Sequence, residues 1–504
     1  MRHRLRRAGA FAVVASTVLA APALGPAAAA PFAAVAVLAA FVVDDGRVFD
    51  LFARPGDYED RRLNGLAGFA LAATALGVLT ALPQAPMPTT VFAAAVLSLA
   101  YGVLGREFVR ESTGDEFATT TAFAFAGFVA ATLGQVGVAV AGAGLDPSAV
   151  PVYVFLAATA ALVAALLRSV LFPRDDPIVM VSVGFLLWLL WALVSADGVA
   201  VTPALVAASL AVSVGLGLVS YVLETASVSG MLTGVLLAFL TVVLGGIGWF
   251  LVLISFFAVG GLAAKFRFEE KDARGVAEGN DGARGAGNVL GNSGIALLAV
   301  LGYAASRAAW PDTAVATLLA FAFAGSVAAA MADTLSSEFG GLFDAPRLVT
   351  TLRPVEPGTD GAVTWQGEVA GVAGAGLVAL TAVLAMPLGA DAGVVVGSPS
   401  PVVSAGAAFA PAAVAVAGAG FVGMTVDSFL GATVEGDRLG NQAVNTLATL
   451  SGALAGVALS VLVGAAPPPS PSALTAALEA ALTVAPETAL PVATAALATL
   501  PVLP

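Results

Sequence analysis

Long apolar runs recur from one end of the chain to the other, and they limit the folds that it can adopt. Each run holds about 17–25 residues, which is the length that a helix needs to cross a bilayer. Membrane barrels instead use shorter strands of alternating polarity, and helices satisfy every backbone polar group within lipid. The runs predict an all-α, polytopic transmembrane bundle of about 14–15 helices. The predicted spans are 8–24, 25–43, 65–83, 88–104, 118–142, 150–172, 177–195, 199–223, 230–245, 247–264, 289–309, 313–332, 367–387, 402–432 and 441–465.

Charged residues are scarce and their positions orient the spans. They make up 11% of the chain, against about 25% in ordinary soluble domains. Arg and Lys collect in cytoplasmic loops of membrane proteins, so an N-terminus inside the cell is expected. That orientation leaves only Arg307 of the 21 basic residues near the outer side. The predicted inner segments are 1–7, 44–64, 105–117, 168–176, 265–288, 333–366 and 433–440.

Composition also limits the chemistry. There is no Cys and a single His, His3, so thiolate nucleophiles, disulfides and His-rich metal sites are excluded. Acidic residues outnumber basic ones by 33 to 21, which gives no reason to expect a nucleic-acid partner. Many Asp and Arg with only two Lys is a composition typical of salt-loving archaea. Any reaction must therefore rest on Asp, Glu, Asn, Ser, Thr, Arg and Lys.

The predicted organisation has four parts. Residues 1–43 form a membrane hairpin or a signal-like segment, because a basic start and the small residues 27–30 also resemble a cleavable signal peptide. Residues 44–223 form an N-terminal membrane domain, and 224–465 a second one. The Ala- and Pro-rich tail, 466–504, is either a linker or a weak span. The stretch 402–432 exceeds one span, so a tilt or a break near Pro411 or Gly418–Gly420 is expected.

Two Asp-hydroxyl motifs at predicted inner helix ends are the main candidates for chemistry, since charges at membrane depth are usually functional. On a continuing helix, Asp333 shares a face with Ser336 and Ser337, and Glu338 lies beside them. Asp427 and Ser428 precede a glycine in the same way at the end of a later span. Two such carboxylates could bind Mg²⁺ together with phosphate and water. A polar helix end without function is the alternative.

Two inner loops add basic and amide side chains. Lys265 and Glu269 belong to a charged loop, and Arg353 lies in a Pro- and Gly-rich loop. Cations near helix ends can bind phosphate groups. Three amides enter neighbouring spans: Asn288, Asn292 and Asn445. By contrast, Arg274, Arg284 and the charged loops 53–62 and 105–111 are interpreted as solvated.

The C-terminal half resembles a known family, the integral-membrane family called domain of unknown function ninety-two, which includes the plant chloroplast phytyl-phosphate kinase. The resemblance rests on dispersed motifs in family order: 230–234, 265–271, 288–292, 332–338, 352–359 and 426–432. It implies kinase or related phosphotransferase chemistry on a membrane-bound isoprenoid phosphate, with Mg²⁺ and with CTP or another nucleoside triphosphate as donor. The first half, 44–223, has no comparable resemblance.

The resemblance and the residue types together suggest roles. Asp333 and Asp427 are assigned to the metal, and Lys265 and Arg353 to phosphates. Glu269, Asn288 and Asn292 would orient the substrate or metal as catalytic residues. The predicted cofactor-binding residues are Ser336, Ser337, Glu338, Ser428 and Asn445. The alternative is a transporter or flippase, whose polar site would lie near the bilayer midplane. A non-catalytic scaffold is the third option. The expected location is the cell membrane, with the bilayer as partner; the oligomeric state is undetermined.

Overall fold

The computed structural model describes residues 2–196, 199–277, 283–309, 313–388, 409–436 and 438–470. Within these residues the chain is almost entirely helical. The helices of the first half are α1 (Arg2–Ser16), α2 (Ala21–Leu24), α3 (Ala30–Phe41), α4 (Gly46–Phe52), α5 (Asp57–Asp60), α6 (Asn64–Leu79), α7 (Thr89–Arg110), α8 (Glu116–Ala141), α9 (Val150–Val170), α10 (Asp176–Ser195) and α11 (Pro203–Val222). Short 3-10 turns lie at Thr17–Ala20, Gly25–Ala27, Pro147–Ala149 and Pro173–Asp175.

The second half continues the pattern and adds one small hairpin. Its helices are α12 (Val228–Gly245), α13 (Ile247–Lys265), α14 (Phe268–Ala273), α15 (Ala286–Ala309), α16 (Thr313–Gly340), α17 (Trp365–Ala385), α18 (Phe409–Gly431) and α19 (Asn441–Leu462). The strands β1 (Arg347–Leu348) and β2 (Ala362–Val363) pair antiparallel, with Arg347 opposite Val363. They close the loop between α16 and α17.

The described residues confirm the prediction of a polytopic helical bundle. Thirteen of their helices are long and apolar enough to cross a membrane, and two shorter apolar helices, Ala30–Phe41 and Asn64–Leu79, fall where spans were predicted. The thickness of the hydrocarbon layer sets the length of a membrane-spanning helix, and apolar runs of that length therefore located these helices well.

One predicted span boundary was wrong, and one predicted break is not seen. The helix α16 was expected to end at 332 but runs on to Gly340, about 42 Å in all. The last turns of α16 carry polar residues on one side, and hydropathy alone therefore places the end of the span too early. The helix α18 passes through Pro411 and Gly418–Gly420 without a break. Its predicted start, 402–408, lies outside the described residues, as do residues 471–504 of the tail.

The first helix packs within the bundle. Phe11 and Ala15 are buried, and the Phe11 ring makes edge contacts with Phe52 and Phe69. The Arg7 guanidinium donates a hydrogen bond to the Ala53 carbonyl at 2.9 Å. These contacts hold α1 against α4 and α6.

Close helix crossings hold the second half together. The helices α16, α17, α18 and α19 pack on one another, and α13 and α15 pack against α16. A Cβ added at Gly325 of α16 would come within 2.5 Å of the Gly452 carbonyl of α19. At Gly420 of α18, an added Cβ would lie 3.0 Å from the Ala328 carbonyl of α16. Small residues let membrane helices approach this closely, and the packing brings the polar ends of these helices to one place.

Several charged residues interpreted as solvated are buried instead. Asp57 is 3% exposed and accepts hydrogen bonds from the backbone N–H groups of Arg54 and Asn64. The Arg54 side chain also pairs with buried Asp176 at 2.8 Å. Arg284 is 5% exposed, and its guanidinium lies over the Phe256 ring at 5.3 Å. The burial of these loop charges was not predicted, because a charged side chain in a loop can enter the bundle. Whether it does so depends on the packing of the helices around it.

Candidate functional site

A polar cavity of about 420 Å³ lies where the ends of four membrane helices meet. The C-terminal turns of α16 and α18 and the N-terminal turns of α15 and α19 form its walls, and the loop before α17 covers one side. Nine of the twelve predicted site residues line it: Asn288, Asn292, Asp333, Ser336, Ser337, Glu338, Asp427, Ser428 and Asn445. The sequence motifs therefore converge in space, although they span about 160 positions of the chain.

The two predicted metal residues lie beside each other in the lining of this cavity. Asp333 lies in α16 and Asp427 in α18, and their carboxyl groups interact directly. The Asp427 Oδ1 atom is buried and makes no hydrogen bond within the described residues. Two adjacent carboxylates repel each other unless they share a proton or a cation lies between them. The pair is therefore suited to a divalent cation.

Amide side chains of α15 and α19 form another part of the lining. The Asn292 Nδ2 atom donates to the Asn288 carbonyl at 3.0 Å, and Asn445 Nδ2 donates to Asn441 Oδ1 at 3.3 Å. Asn292 and Asn445 are both less than 10% exposed. An added Cβ at Gly291 would come within 3.0 Å of the Gln442 carbonyl, so α15 and α19 approach closely here. The close contact between α15 and α19 holds the Asn292 and Asn445 amides in place. These amides can donate hydrogen bonds to a polar ligand or accept them from it.

The loop between α16 and α17 covers one side of the cavity and adds Asp360, an acid that was not predicted to belong to the site. Gly361 has φ +71°, and an added Cβ would lie 2.5 Å from the Ser428 carbonyl, so both its conformation and the close approach need glycine. The turn places Asp360 at the cavity, across from Glu435 in the loop after α18. Burial raises the pKa of Glu435, and the charges of Asp360 and Asp427 raise it further. Negative charge is therefore concentrated here.

A buried ion pair supports the wall formed by α16. Lys271 of α14 is 1% exposed, and its ammonium group donates to the Ala263 and Ala264 carbonyls at 3.1 and 2.7 Å. The same ammonium pairs with the Glu338 carboxylate. Glu338 was predicted to bind a cofactor, but one of its oxygens is engaged by Lys271. The pair anchors α14 and the end of α13 to the end of α16.

Three predicted residues do not line the cavity. Lys265 places its ammonium 5.9 Å from the Phe268 ring centre, and Glu269 and Arg353 are exposed. The motif 265–271 does contribute to the site, because Lys271 pairs with Glu338 of the cavity lining. Lys265 does not. Sequence alone could not choose between them, because the turn after α13 decides which lysine points inward. The assignment of Lys265 and Arg353 to phosphates is therefore not supported by their positions.

The donor set fits a cation that keeps ligands from elsewhere. No group of three or more Asp, Glu, His or Cys side chains arranged to hold a metal occurs in the described residues. Magnesium is commonly bound by one or two carboxylates, with substrate phosphates and water completing its shell. Asp333 and Asp427 match that pattern. No Lys or Arg belongs to the described cavity lining, so a phosphate could enter this acidic space only with a cation.

Comparison with known proteins assigns the family. The family model described as integral membrane protein DUF92 matches residues 211–453, the part of the chain that contains the whole cavity. An uncharacterized membrane protein of Methanocaldococcus jannaschii is 32% identical over 234 residues, which are 45% of this chain and 83% of that protein. The chain belongs to the DUF92 family. No solved structure matches it.

Two plant relatives match shorter stretches of this DUF92 protein. Protein VTE6, chloroplastic, of Arabidopsis thaliana is 34% identical over 151 residues, or 29% of this chain and 43% of the relative. Protein PGR of the same plant is 36% identical over 138 residues, or 26% of this chain and 48% of the relative. The chain thus spans less than half of either plant protein. The residues before 211, including α1–α10, lie outside the family match.

Proposed function

We propose that this DUF92 protein is a membrane phosphotransferase that transfers a phosphoryl group from a nucleoside triphosphate to an isoprenoid phosphate. The observation that carries the proposal is the adjacent pair Asp333 and Asp427 in a polar cavity at the helix ends. The family resemblance supports the substrate class. The positive-inside pattern supports a cytoplasmic site, where nucleotide is available.

The residues of this chain would divide the work as follows. Asp333 and Asp427 would hold Mg²⁺, which would neutralise the phosphate charge during transfer. Asn288, Asn292 and Asn445 would orient phosphate oxygens or the donor through their amide groups. Ser336, Ser337 and Ser428 lie within the same cavity and can hydrogen-bond the phosphates. Positioning and charge neutralisation are the main requirements of phosphoryl transfer, and this set supplies both.

The position of the polar residues argues against the transporter alternative. Asp427 lies four residues before the end of α18, and Asn288 lies two residues after the start of α15. Ion-coupled transporters bind their substrate near the bilayer midplane, usually where helices are interrupted. In the described residues, α16 and α18 are continuous at Asp333 and Asp427.

A direct assay tests the proposal. Purified protein in detergent is incubated with labelled CTP or ATP, Mg²⁺ and prenyl monophosphates of several chain lengths. The expected product is a prenyl diphosphate that forms with Mg²⁺ and not with excess EDTA. Absence of diphosphate with every donor and chain length, in protein that keeps a cooperative thermal transition, would overturn the proposal.

A further inference from the structure

A narrow, mostly apolar groove runs between α11, α12 and α13, on the side of Arg284 away from the polar cavity. Its wall on α13 extends from Phe250 to Gly261, about 16 Å along the helix. Leu216 of α11 and Met231 of α12 form the facing walls. Gly234 of α12 also lines the groove, and a Cβ built there would have no atom within 4 Å. The groove is therefore open where a larger side chain would fill it.

The groove ends at a buried cation that borders the cavity. Arg284 lines the groove and is 5% exposed. A Cβ placed at Gly260 would lie 3.3 Å from an Arg284 guanidinium nitrogen and 3.4 Å from the Thr334 methyl group. Thr334 in turn lines the polar cavity. Arg284 thus lies at the junction of an apolar channel and an acidic, polar space.

A hydroxyl group of α11 also lines the groove, at Ser213. Ser209 and Ser220 of α11 donate their hydroxyls back to carbonyls of their own helix. Ser213 lies between them, is 1% exposed, and its Oγ atom makes no hydrogen bond within the described residues. Leaving a buried hydroxyl unpaired is unfavourable, so we expect a water molecule beside Ser213.

We infer that this groove binds the hydrocarbon chain of the phosphate substrate, with the phosphate directed past Arg284 into the cavity. The inference rests on the proposed function for its substrate class. A hydrocarbon chain matches the apolar walls, and an anionic head group matches the guanidinium at the groove's end. A neutral lipid would bring no negative charge to the Arg284 guanidinium.

The test fills the groove and compares substrates. Gly234→Leu adds a side chain where there is space, and Gly215→Leu is the matched control on the exposed face of α11, also with no atom within 4 Å of its Cβ. We expect Gly234→Leu to lower the ratio of kcat/KM for a twenty-carbon prenyl phosphate to that for a five-carbon one by about tenfold or more. Gly215→Leu is expected to change that ratio by less than about twofold. An unchanged ratio in Gly234→Leu would overturn the inference.

A binding measurement separates this inference from the proposed function. A long-chain prenyl phosphate carrying a photoreactive tail is expected to label the peptide that contains Phe257 in wild-type protein. Unlabelled long-chain prenyl phosphate should compete for this labelling, and Gly234→Leu should reduce it. Labelling without any turnover would support the groove and refute the kinase assignment. Equal competition by phosphatidylglycerol would identify a general lipid contact and refute the groove inference.

Discussion

The two halves of the bundle both bury charged side chains near helix ends, and they do so in opposite ways. In the N-terminal half, a pocket of about 90 Å³ is lined by Arg4, Arg7, Arg54 and Arg168, with Glu107 and Asp176. Asp176 is 2.8 Å from Arg54 and 3.2 Å from Arg168, so the buried acid and the two arginines beside it are paired. The C-terminal cavity instead gathers acids, and its described lining contains no basic residue.

This difference separates a structural cluster from a candidate active site. Oppositely charged side chains that pair inside the protein can hold helices together without a ligand. Adjacent carboxyl groups repel each other when both are ionised, so the pair needs a shared proton or a bound cation. The N-terminal cluster is therefore expected to govern stability, and the C-terminal cavity activity.

The largest effect is expected at the carboxylate pair. Asp333→Asn and Asp427→Asn should each lower kcat/KM for phosphoryl transfer by about two orders of magnitude or more, because each would remove a proposed metal ligand worth several kcal/mol. The thermal midpoint should stay equal or rise, since repulsion between the carboxylates is removed. The measurements are the diphosphate assay and thermal unfolding in detergent. Full activity in either variant would contradict the metal assignment.

A large loss of stability, rather than of chemistry, is expected at Asp176. Asp176→Asn leaves Arg168 buried without its opposite charge, which should lower the free energy of unfolding by about 3–5 kcal/mol. The exposed acid Glu111 provides the matched control, and Glu111→Gln should change stability by about 0.5 kcal/mol at most. Denaturant titration in mixed micelles measures both. Equal effects in the two variants would show that the cluster is not structural.

An intermediate effect is expected at the pair that supports the cavity wall. Lys271→Met leaves the Glu338 carboxylate buried without its partner and should destabilise the protein by about 3 kcal/mol. The double variant with Glu338→Gln should recover part of this loss, giving a coupling free energy of about 1–3 kcal/mol. A double-mutant cycle on unfolding free energies measures it. Strict additivity would mean that the two side chains do not depend on each other.

A smaller, pH-dependent effect is expected at Glu435. Its raised pKa means that the folded protein favours the protonated carboxyl, so its stabilising contribution is present at low pH and lost as pH rises through the folded pKa. Glu435→Gln should therefore raise the thermal midpoint at pH 7 and have little effect below the ordinary Glu pKa. Mg²⁺ should reduce the advantage of the variant. The check is a series of melting curves against pH, with and without Mg²⁺; a pH-independent difference would refute the electrostatic explanation.

The smallest effects are expected at the residues that the structure places away from the cavity. Lys265→Ala, Glu269→Gln and Arg353→Ala should each change kcat/KM by less than about threefold and stability by about 0.5 kcal/mol. The same assay and unfolding measurements apply. A loss as large as that of Asp427→Asn in any of them would mean that its loop closes over the substrate, and would restore the phosphate role predicted from sequence.

Much of the site could be predicted from sequence because its residues stand out against an apolar background. Asp333, Asp427 and the three asparagines are polar groups at the ends of apolar helices, and such groups are rare and costly in lipid. Asp360 and Glu435 were missed because acids in loops are common and carry no such signal. Lys271 and Arg284 were missed because their burial depends on turns whose geometry no local pattern specifies.

The sequence by itself determined the helical class and the positions of the spans, because bilayer thickness fixes how long an apolar helix must be. It also identified the two Asp motifs and the family-like half of the chain. Only the tertiary structure decided that these motifs share one cavity, that Glu338 is paired with Lys271, and that Arg284 joins the cavity to an apolar groove. Those facts follow from close helix crossings between residues far apart in the chain, and spacing along the chain does not contain that information.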